Sequence, residues 1–195
     1  IKEEFVRRDI DGTNVSVLPC GIDTQSYALD VDDVLFPDKS IVVGKIEPRK
    51  RQAHLQKQNL RIDFVGNVSD QSFDTSDPSY LGEQSKQDIM DNLTAYASMV
   101  LLSSGEAHPF VCLEGMAAGL GLVLSEQSTA NLDISQPFIT VIPDDKLDDT
   151  TYLNQKIKEN RKISLTMRSD IRKYCFDNFD WSSIIKQYKS IIDNI

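Results

Sequence analysis

Met99-Val100-Leu101-Leu102-Ser103-Ser104-Gly105-Glu106-Ala107-His108-Pro109-Phe110-Val111-Cys112-Leu113-Glu114-Gly115-Met116-Ala117-Ala118-Gly119-Leu120-Gly121-Leu122-Val123-Leu124 joins two short, wholly apolar runs through a polar loop and a small-residue helix. Continuous apolar runs such as 99–102 and 122–124 suit strands covered on both faces, as in a parallel sheet. Pro109 suits the opening of the helix, since its missing N–H would have had no intrahelical partner. Gly119 suits its end. Gly115, Ala117 and Ala118 give the helix a small-residue flank for close packing on the sheet.

The same alternation extends in both directions. Strands are expected at 14–18, 40–44, 61–65, 79–81, 99–102, 122–124 and 138–142, with helices at about 49–58, 85–96 and 110–118. Strand, helix, strand repeated predicts an α/β chain with a doubly wound, mostly parallel, Rossmann-like sheet. From about Asp149 the pattern turns helical. Residues 157–174 form an amphipathic stretch, and Asp180 or Ser182 can cap a last helix with Ile184, Ile185, Tyr188, Ile191, Ile192 and Ile195 on one face. Residues 150–195 thus form a C-terminal helical segment, and 1–195 reads as one domain.

The 195 residues carry 21 Lys+Arg against 30 Asp+Glu, a formal net charge of −9, which argues against a general nucleic-acid binder. With 40% hydrophobic and 26% charged residues the chain is neither disordered nor fibrous. It contains no apolar run long enough to span a bilayer and no signal-peptide pattern at its start. Cys20, Cys112 and Cys175 are odd in number and widely spaced, which suits a reducing, cytoplasmic compartment. They read as small buried hydrophobes. The first residue is Ile, so a piece of a longer protein is expected.

Open parallel sheets bind ligands at the carboxyl ends of their strands. After the strand at 40–44 comes Gly44-Lys45-Ile46-Glu47-Pro48-Arg49-Lys50-Arg51, with four basic residues in an acidic chain. Two cations beside a glycine can offset a pyrophosphate, each pair of unit charges ~4 Å apart near a protein surface attracting by roughly 4 kcal/mol before desolvation. Arg49, Lys50 and Arg51 can equally be a solvated first helical turn, although cations there oppose the helix dipole. In the second loop the amides of Phe110, Val111 and Cys112 are expected as free donors at a positive helix end. Glu106, in the loop, and Glu114, on the helix, can address different hydroxyls of one elongated ligand, or be ordinary solvent-facing acids. Val65-Gly66-Asn67-Val68-Ser69 is a turn that could also let a ligand approach the backbone.

Leu18-Pro19-Cys20-Gly21-Ile22-Asp23, then Val43 to Lys50, then Glu106 to Gly119, taken in order and with these gaps, resemble the C-terminal donor-binding half of a retaining GT-B glycosyltransferase, family 4, the glycosyl transferases group 1. The resemblance runs from about Val15 to the C-terminus. It implies that Lys45 and Lys50 contact the donor diphosphate, with Gly44 and Arg49 in the same loop. It further implies that Glu106 engages the transferred sugar, that the amides near Phe110 and Val111 hold phosphate or sugar, and that Glu114 binds the ribose hydroxyls. Gly82 and Gln84, after the strand ending at Leu81, correspond to the region around the base, while Gly66 and Asn67 stand as donor-binding candidates on their turn alone. Residues 1–13 correspond to the end of an interdomain linker.

By the same resemblance the chain transfers a hexose-type sugar from a nucleoside diphosphate sugar to a glycan, lipid or small-molecule acceptor, with retention. The acceptor would be held by an N-terminal domain, so the isolated chain is expected to be inactive alone. Work at the cytoplasmic membrane face is compatible with the family. No cofactor and no metal are implied, and His54 and His108 offer no paired metal-ligand spacing. Ala107-His108-Pro109 replaces the usual Gly-Phe-Gly, Cys20 replaces an Asn, and Lys45 is a point charge where the family has a forked Arg. Half of a nucleotide-sugar epimerase and a noncatalytic nucleotide- or sugar-binding module are the rival readings. His108 can donate to a sugar hydroxyl or help cap the helix. His54 reads as a structural or surface histidine, and Trp181 as a packing anchor.

Overall fold

A computed structural model describes residues 19–193. The strand expected at 14–18, the linker assignment at 1–13 and Ile195 lie outside the described residues. Five parallel strands form the sheet: β1 (Phe36–Val43), β2 (Ile62–Val65), β3 (Tyr96–Leu101), β4 (Gly121–Ser125) and β5 (Ile139–Ile142), in the order β2-β1-β3-β4-β5. The helices are α1 (Gln52–Gln56), α2 (Lys86–Asn92), α3 (Phe110–Ala117), α4 (Thr150–Phe179) and α5 (Trp181–Ile192). The α/β, doubly wound expectation is met.

The apolar runs behave as periodicity requires. Every residue of β3 and of β4 is buried, because helices cover both faces of the sheet. Ile41, Met99, Leu101, Leu122 and Leu124 point to one face, where α3 packs. Val42, Val100, Val123, Ile62 and Phe64 point to the other, against Leu55 of α1. Full burial of each such side chain contributes roughly 1.5–3 kcal/mol. The long α4 serves both faces, giving Leu153 and Ile157 to one cluster and Ile171, Cys175 and Phe179 to the other.

Several boundaries differ from expectation. β1 starts at Phe36, ahead of 40, because Phe36 pairs with Tyr96 across an irregularity before Ser40. Pro37, lacking an N–H, sits in that irregularity. The expected strand at 79–81 reduces to a single bridge from Tyr80 to Phe64. Backbone bonds Phe64 N to Ser79 O (2.7 Å), Leu81 N to Phe64 O (2.9 Å) and Gly66 N to Gly82 O (3.0 Å) still lay this segment along the outer edge of β2. The helix expected at 49–58 splits at Arg51, whose positive φ of 57° separates a 3₁₀ turn (Pro48–Lys50) from α1. The helix expected at 85–96 is α2 followed by a 3₁₀ turn (Leu93–Ala95). Ser85 and Asp88 form the reciprocal capping box that starts it.

The C-terminal segment is helical as expected, with Asp180 capping α5 through Ser182 N. Of the apolar positions assigned to its face, Ile184 is buried, whereas Ile185, Tyr188 and Ile192 are exposed. Trp181 packs its ring over Gly21 as an anchor, half of it remaining exposed. Cys112 and Cys175 are buried as expected; Cys20 is exposed, which corrects the reading of all three cysteines as buried. It lies in a loop outside the helices and strands, where no packing layer covers it.

Candidate functional site

The strand order reverses direction between β1 and β3: the chain proceeds outward to β2 on one side and to β4 and β5 on the other. Ligands of open α/β sheets bind in the crevice this reversal leaves at the carboxyl ends. The two loops that flank it are Gly44–Arg51, after β1, and Ser103–Pro109, after β3. The sequence signals therefore fall on the position the topology selects.

Gly44, Gly66 and Gly82 end three neighbouring extended segments, joined by Gly44 N to Val65 O (2.9 Å) and Gly66 N to Gly82 O (3.0 Å). All three have positive φ, 134°, 145° and 81°. Together they form a floor of bare backbone beside the crevice. The Lys50 ammonium lies over it, 3.0 Å from where a Gly44 Cβ would be. Asn67 closes the floor's rim, its amide donating to Glu83 (3.4 Å) and its carbonyl accepting from Ile46 N (2.8 Å).

The basic loop divides by function. Arg49 is not a free cation: it donates to Glu47 Oε1 (2.8 Å), Glu106 Oε1 (3.1 Å), Ser103 Oγ (2.9 Å) and the Gly105 carbonyl. Its own carbonyl accepts from Ser104 N at 2.8 Å. Arg51 donates to the Leu102 carbonyl (3.2 Å). Arg49 and Arg51 thus stitch the β1 loop to the β3 loop, while Lys45 and Lys50 have no carboxylate partner among the described residues. The run is therefore not a simple solvated helical turn: its two arginines are engaged within the structure.

Glu106 is held by Arg49 and by its own N–H, which donates to the Gln127 carbonyl (3.0 Å). Glu114 sits on the second turn of α3 and accepts from the Tyr27 hydroxyl at 3.0 Å. Between them lies Cys112, fully buried in the first turn. Burial pushes its thiol up, Glu106 and Glu114 push in the same direction, and Lys50 opposes them. All three charged groups therefore bear on one point at the head of α3, which brings together residues eight and more positions apart.

The helix opening differs from expectation. Pro109 is the N-cap and Phe110 the first helical residue. Phe110 N donates to His108 O (2.9 Å) and Cys112 N to Pro109 O (2.9 Å), so two of the three amides expected to be free are occupied. Tight turning around Pro109 closes these local bonds, leaving Val111 N as the amide of the three without a partner among the described residues. Gly119 follows the helix with φ +79°, as a helix end requires.

His108 stacks edge-on against Phe110, ring centroids 5.1 Å apart, and its Nδ1 meets the Asn131 amide at 3.2 Å. Its Nε2 is buried and meets no hydrogen-bond partner among the described residues. Burial lowers the imidazole below the usual histidine value of 6.5, an effect that the Cys20 backbone partly opposes. Since the folded-state value lies below the unfolded one, the unfolded chain takes up the proton first, and stability present above about 6.5 is lost as pH falls through that window. In urea titrations at pH 7 and 5, His108→Gln is expected to lose less stability on acidification than the parent chain; equal losses would show that His108 does not contribute.

Gly82 and Gln84 separate. Gly82 faces open space, whereas Gln84 lines a groove of about 450 Å³ with Leu81, Phe36 and Tyr96. Neither this groove nor a second cavity of about 460 Å³ beside Leu60 and Pro78 includes Lys50, Glu106 or Glu114. His54 is structural, its Nε2 3.3 Å from the Leu147 carbonyl. Sequence reasoning did not single out Tyr27, Ser103, Gln127 or Asn131, whose partners lie far along the chain; none carries a local motif.

The fold and crevice define an α/β Rossmann-like half of the GT-B architecture. Solved structures similar to it include a lipopolysaccharide outer core galactosyltransferase, WaaB, in its apo form, with 17% identity and a TM-score of 0.76 over all of this chain and 59% of that one. HepE of Anabaena in complex with UDP and glucose matches with 15% identity and a TM-score of 0.71 over 100% of this chain and 61% of that one. Sucrose-phosphate synthase from Thermosynechococcus elongatus matches with 17% identity and a TM-score of 0.72 over 99% and 56%. The chain spans less than two thirds of the length of these structures. No family model and no curated protein matches the sequence.

Proposed function

We propose that this chain is the donor-binding half of a glycosyltransferase that takes a hexose-type sugar from a nucleoside diphosphate sugar, with retention, in the manner of the family 4 enzymes its motifs resemble. One observation carries the reading: the loops at the carboxyl ends of β1 and β3 and the head of α3 bring two carboxylates, each held by its own partner, to the same end of the sheet as a glycine floor and an ammonium with no carboxylate partner among the described residues. A neighbour of the same fold is described with UDP and glucose, which agrees with that class of ligand.

In this reading the diphosphate lies over Gly44 with Lys50 and Lys45 as its counter-charges, and Val111 N donates to it from the head of α3. As the sugar–phosphate bond breaks, negative charge grows on the leaving phosphate. Groups already held in place stabilise that charge more than they stabilise the ground state. Glu106, fixed by Arg49, contacts the sugar, and Glu114 takes the ribose hydroxyls. The acceptor is held by an N-terminal domain, and no cofactor or metal is invoked. No helix among the described residues is long and apolar enough to cross a membrane; work at the cytoplasmic membrane face would be peripheral.

Calorimetric titration with uridine, guanosine and adenosine diphosphates and their sugars tests the proposal. One base class is expected to bind. Lys50→Ala should weaken it by about 10- to 100-fold, as loss of a charge-assisted contact worth ~1.5–3 kcal/mol implies. Glu106→Ala should weaken the nucleotide sugar more than the bare diphosphate. Equal affinity for both ligands with Glu106→Ala silent would replace the transferase reading with a noncatalytic nucleotide-binding module.

A further inference from the structure

Tyr27 lies outside every motif that pointed to the site, yet it is built into it. Asp23 caps the 3₁₀ turn Thr24–Ser26 that precedes it, accepting from Gln25 N. The Tyr27 carbonyl accepts from Arg172 Nη1 of α4 at 2.7 Å, and the next amide, of Ala28, donates to Met90 O at 3.0 Å. With its backbone tied on both sides and its side chain 3% exposed, the phenol has one place to go. Its hydroxyl donates to Glu114 Oε1 at 3.0 Å.

Burial, and then the charge and hydrogen bond of Glu114, push the phenol upward, so it remains a donor throughout the neutral range. An ionised carboxylate accepts hydrogen bonds only, with about four lone-pair sites over two oxygens. Here one site is taken by Tyr27, and Glu114 Oε2 has no hydrogen bond among the described residues. A carboxylate free to rotate would meet a ligand's hydroxyls in many orientations; one pinned through Oε1 presents a fixed pair of acceptor edges.

We infer that Tyr27 is a positioning residue that orients Glu114 to accept from the adjacent hydroxyls of a ribose, and so sets the preference for ribonucleotides over deoxyribonucleotides. This rests on the proposed placement of the nucleoside diphosphate. A site built to bond a hydroxyl disfavours the analogue lacking it, because the acceptor that the bound ligand covers is then left unpaired. Tyr27 contributes through the geometry of that acceptor and does not itself touch the ligand.

The test is calorimetric titration of the parent chain, Tyr27→Phe, Glu114→Ala and the double variant with uridine, guanosine and adenosine diphosphates and their 2′-deoxy and 3′-deoxy counterparts. Phenylalanine keeps the ring and its packing, and circular dichroism with thermal melting checks that the variant is folded. The parent is expected to prefer the ribonucleotide, and Tyr27→Phe to shrink that preference by about 3- to 10-fold, the net worth of one ordinary hydrogen bond. The deoxy analogues, which keep one of the two hydroxyls, should weaken less. In the Glu114→Ala background the Tyr27 substitution should have no further effect, as coupling through one residue requires.

A parent-like preference in folded Tyr27→Phe overturns the inference while leaving the donor site intact. Equal weakening of ribo and deoxy ligands overturns it as well, since that marks a structural role. Absence of any ribose preference in the parent chain, or of nucleoside diphosphate binding, defeats the placement of the ligand at Glu114 and the inference with it.

Discussion

Replacing Arg168 with methionine is expected to destabilise the chain by about 3–5 kcal/mol, because several buried carbonyls lose their donor at about 1–3 kcal/mol each while the cost of burying the guanidinium is relieved. Arg168 is 2% exposed, and burial lowers its pKa. It donates to the carbonyls of Asp30 (2.6 Å), Tyr96 (2.9 Å), Thr94 (2.5 Å) and Ala118 (3.3 Å), and to Thr94 Oγ1 (2.8 Å). One side chain thus gathers the start of β3, the loop before β1 and the end of α3 onto α4. Methionine fills similar volume but leaves those carbonyls without a donor, each costing about 1–3 kcal/mol when buried and unsatisfied. Removal of the guanidinium's own desolvation cost offsets part of that sum.

For a chain of this size each kcal/mol shifts Tm by roughly 2–4 °C, so a drop of about 10 °C is expected. Arg172→Met provides the comparison: its Nη1 serves two carbonyls, of Tyr27 (2.7 Å) and Ala117 (3.0 Å), so its loss should cost about half as much. Urea unfolding of both variants decides the point. A loss below about 1 kcal/mol for Arg168→Met would mean that the carbonyls find other donors and that the guanidinium is not the organiser of this junction.

Gly66→Ala is expected to damage both fold and site, and Gly82→Ala to be mild. Both residues have positive φ, 145° and 81°, which costs a residue with a Cβ about 1–3 kcal/mol of strain. The difference is space. A Cβ on Gly66 would lie 2.1 Å from the Gly44 carbonyl oxygen, whereas one on Gly82 meets nothing within 4 Å. Alanine at 66 must drive the β1 and β2 loops apart, displacing the floor over which Lys50 sits.

Displacement of a binding group by about 1 Å can cost on the order of 100-fold in function, and a loss of that size is expected in nucleoside diphosphate affinity. Gly82→Ala should stay within about 10-fold of the parent and lose only the strain energy. Titration and urea unfolding of the two variants side by side test this. Similar behaviour of the pair would show that contact between the two glycine loops does not shape the site.

Local chemistry made the alternating architecture legible. The apolar runs of β3 and β4 could be covered only on both faces, and Gly119 marks the end of α3 because it alone among the neighbouring residues accepts φ +79° without strain. The switch-point loops were legible for the same reason: a cluster of basic residues after one apolar run and a Glu-loop-Pro-helix after another are short-range patterns. Where pairing depends on the edge of a sheet, local pattern failed. The segment 79–81 has strand composition, but with one neighbour only it makes a bridge and a few backbone bonds.

What sequence alone determined was the set of elements and the residue types gathered at their carboxyl ends. Tertiary structure decided which charges remain available. Arg49 and Lys50 are adjacent and carry the same charge, yet Arg49 is taken by Glu106, 57 residues away, while Lys50 has no carboxylate partner among the described residues. Glu114 gained an orienting partner in Tyr27, 87 residues distant, which no spacing rule connects to it. The reason is physical: periodicity and capping act within one or two turns of chain, whereas a hydrogen bond is set by where two rigid elements bring donor and acceptor within about 3 Å. That meeting is a property of the packed sheet and its helices, and exists only once the fold has formed.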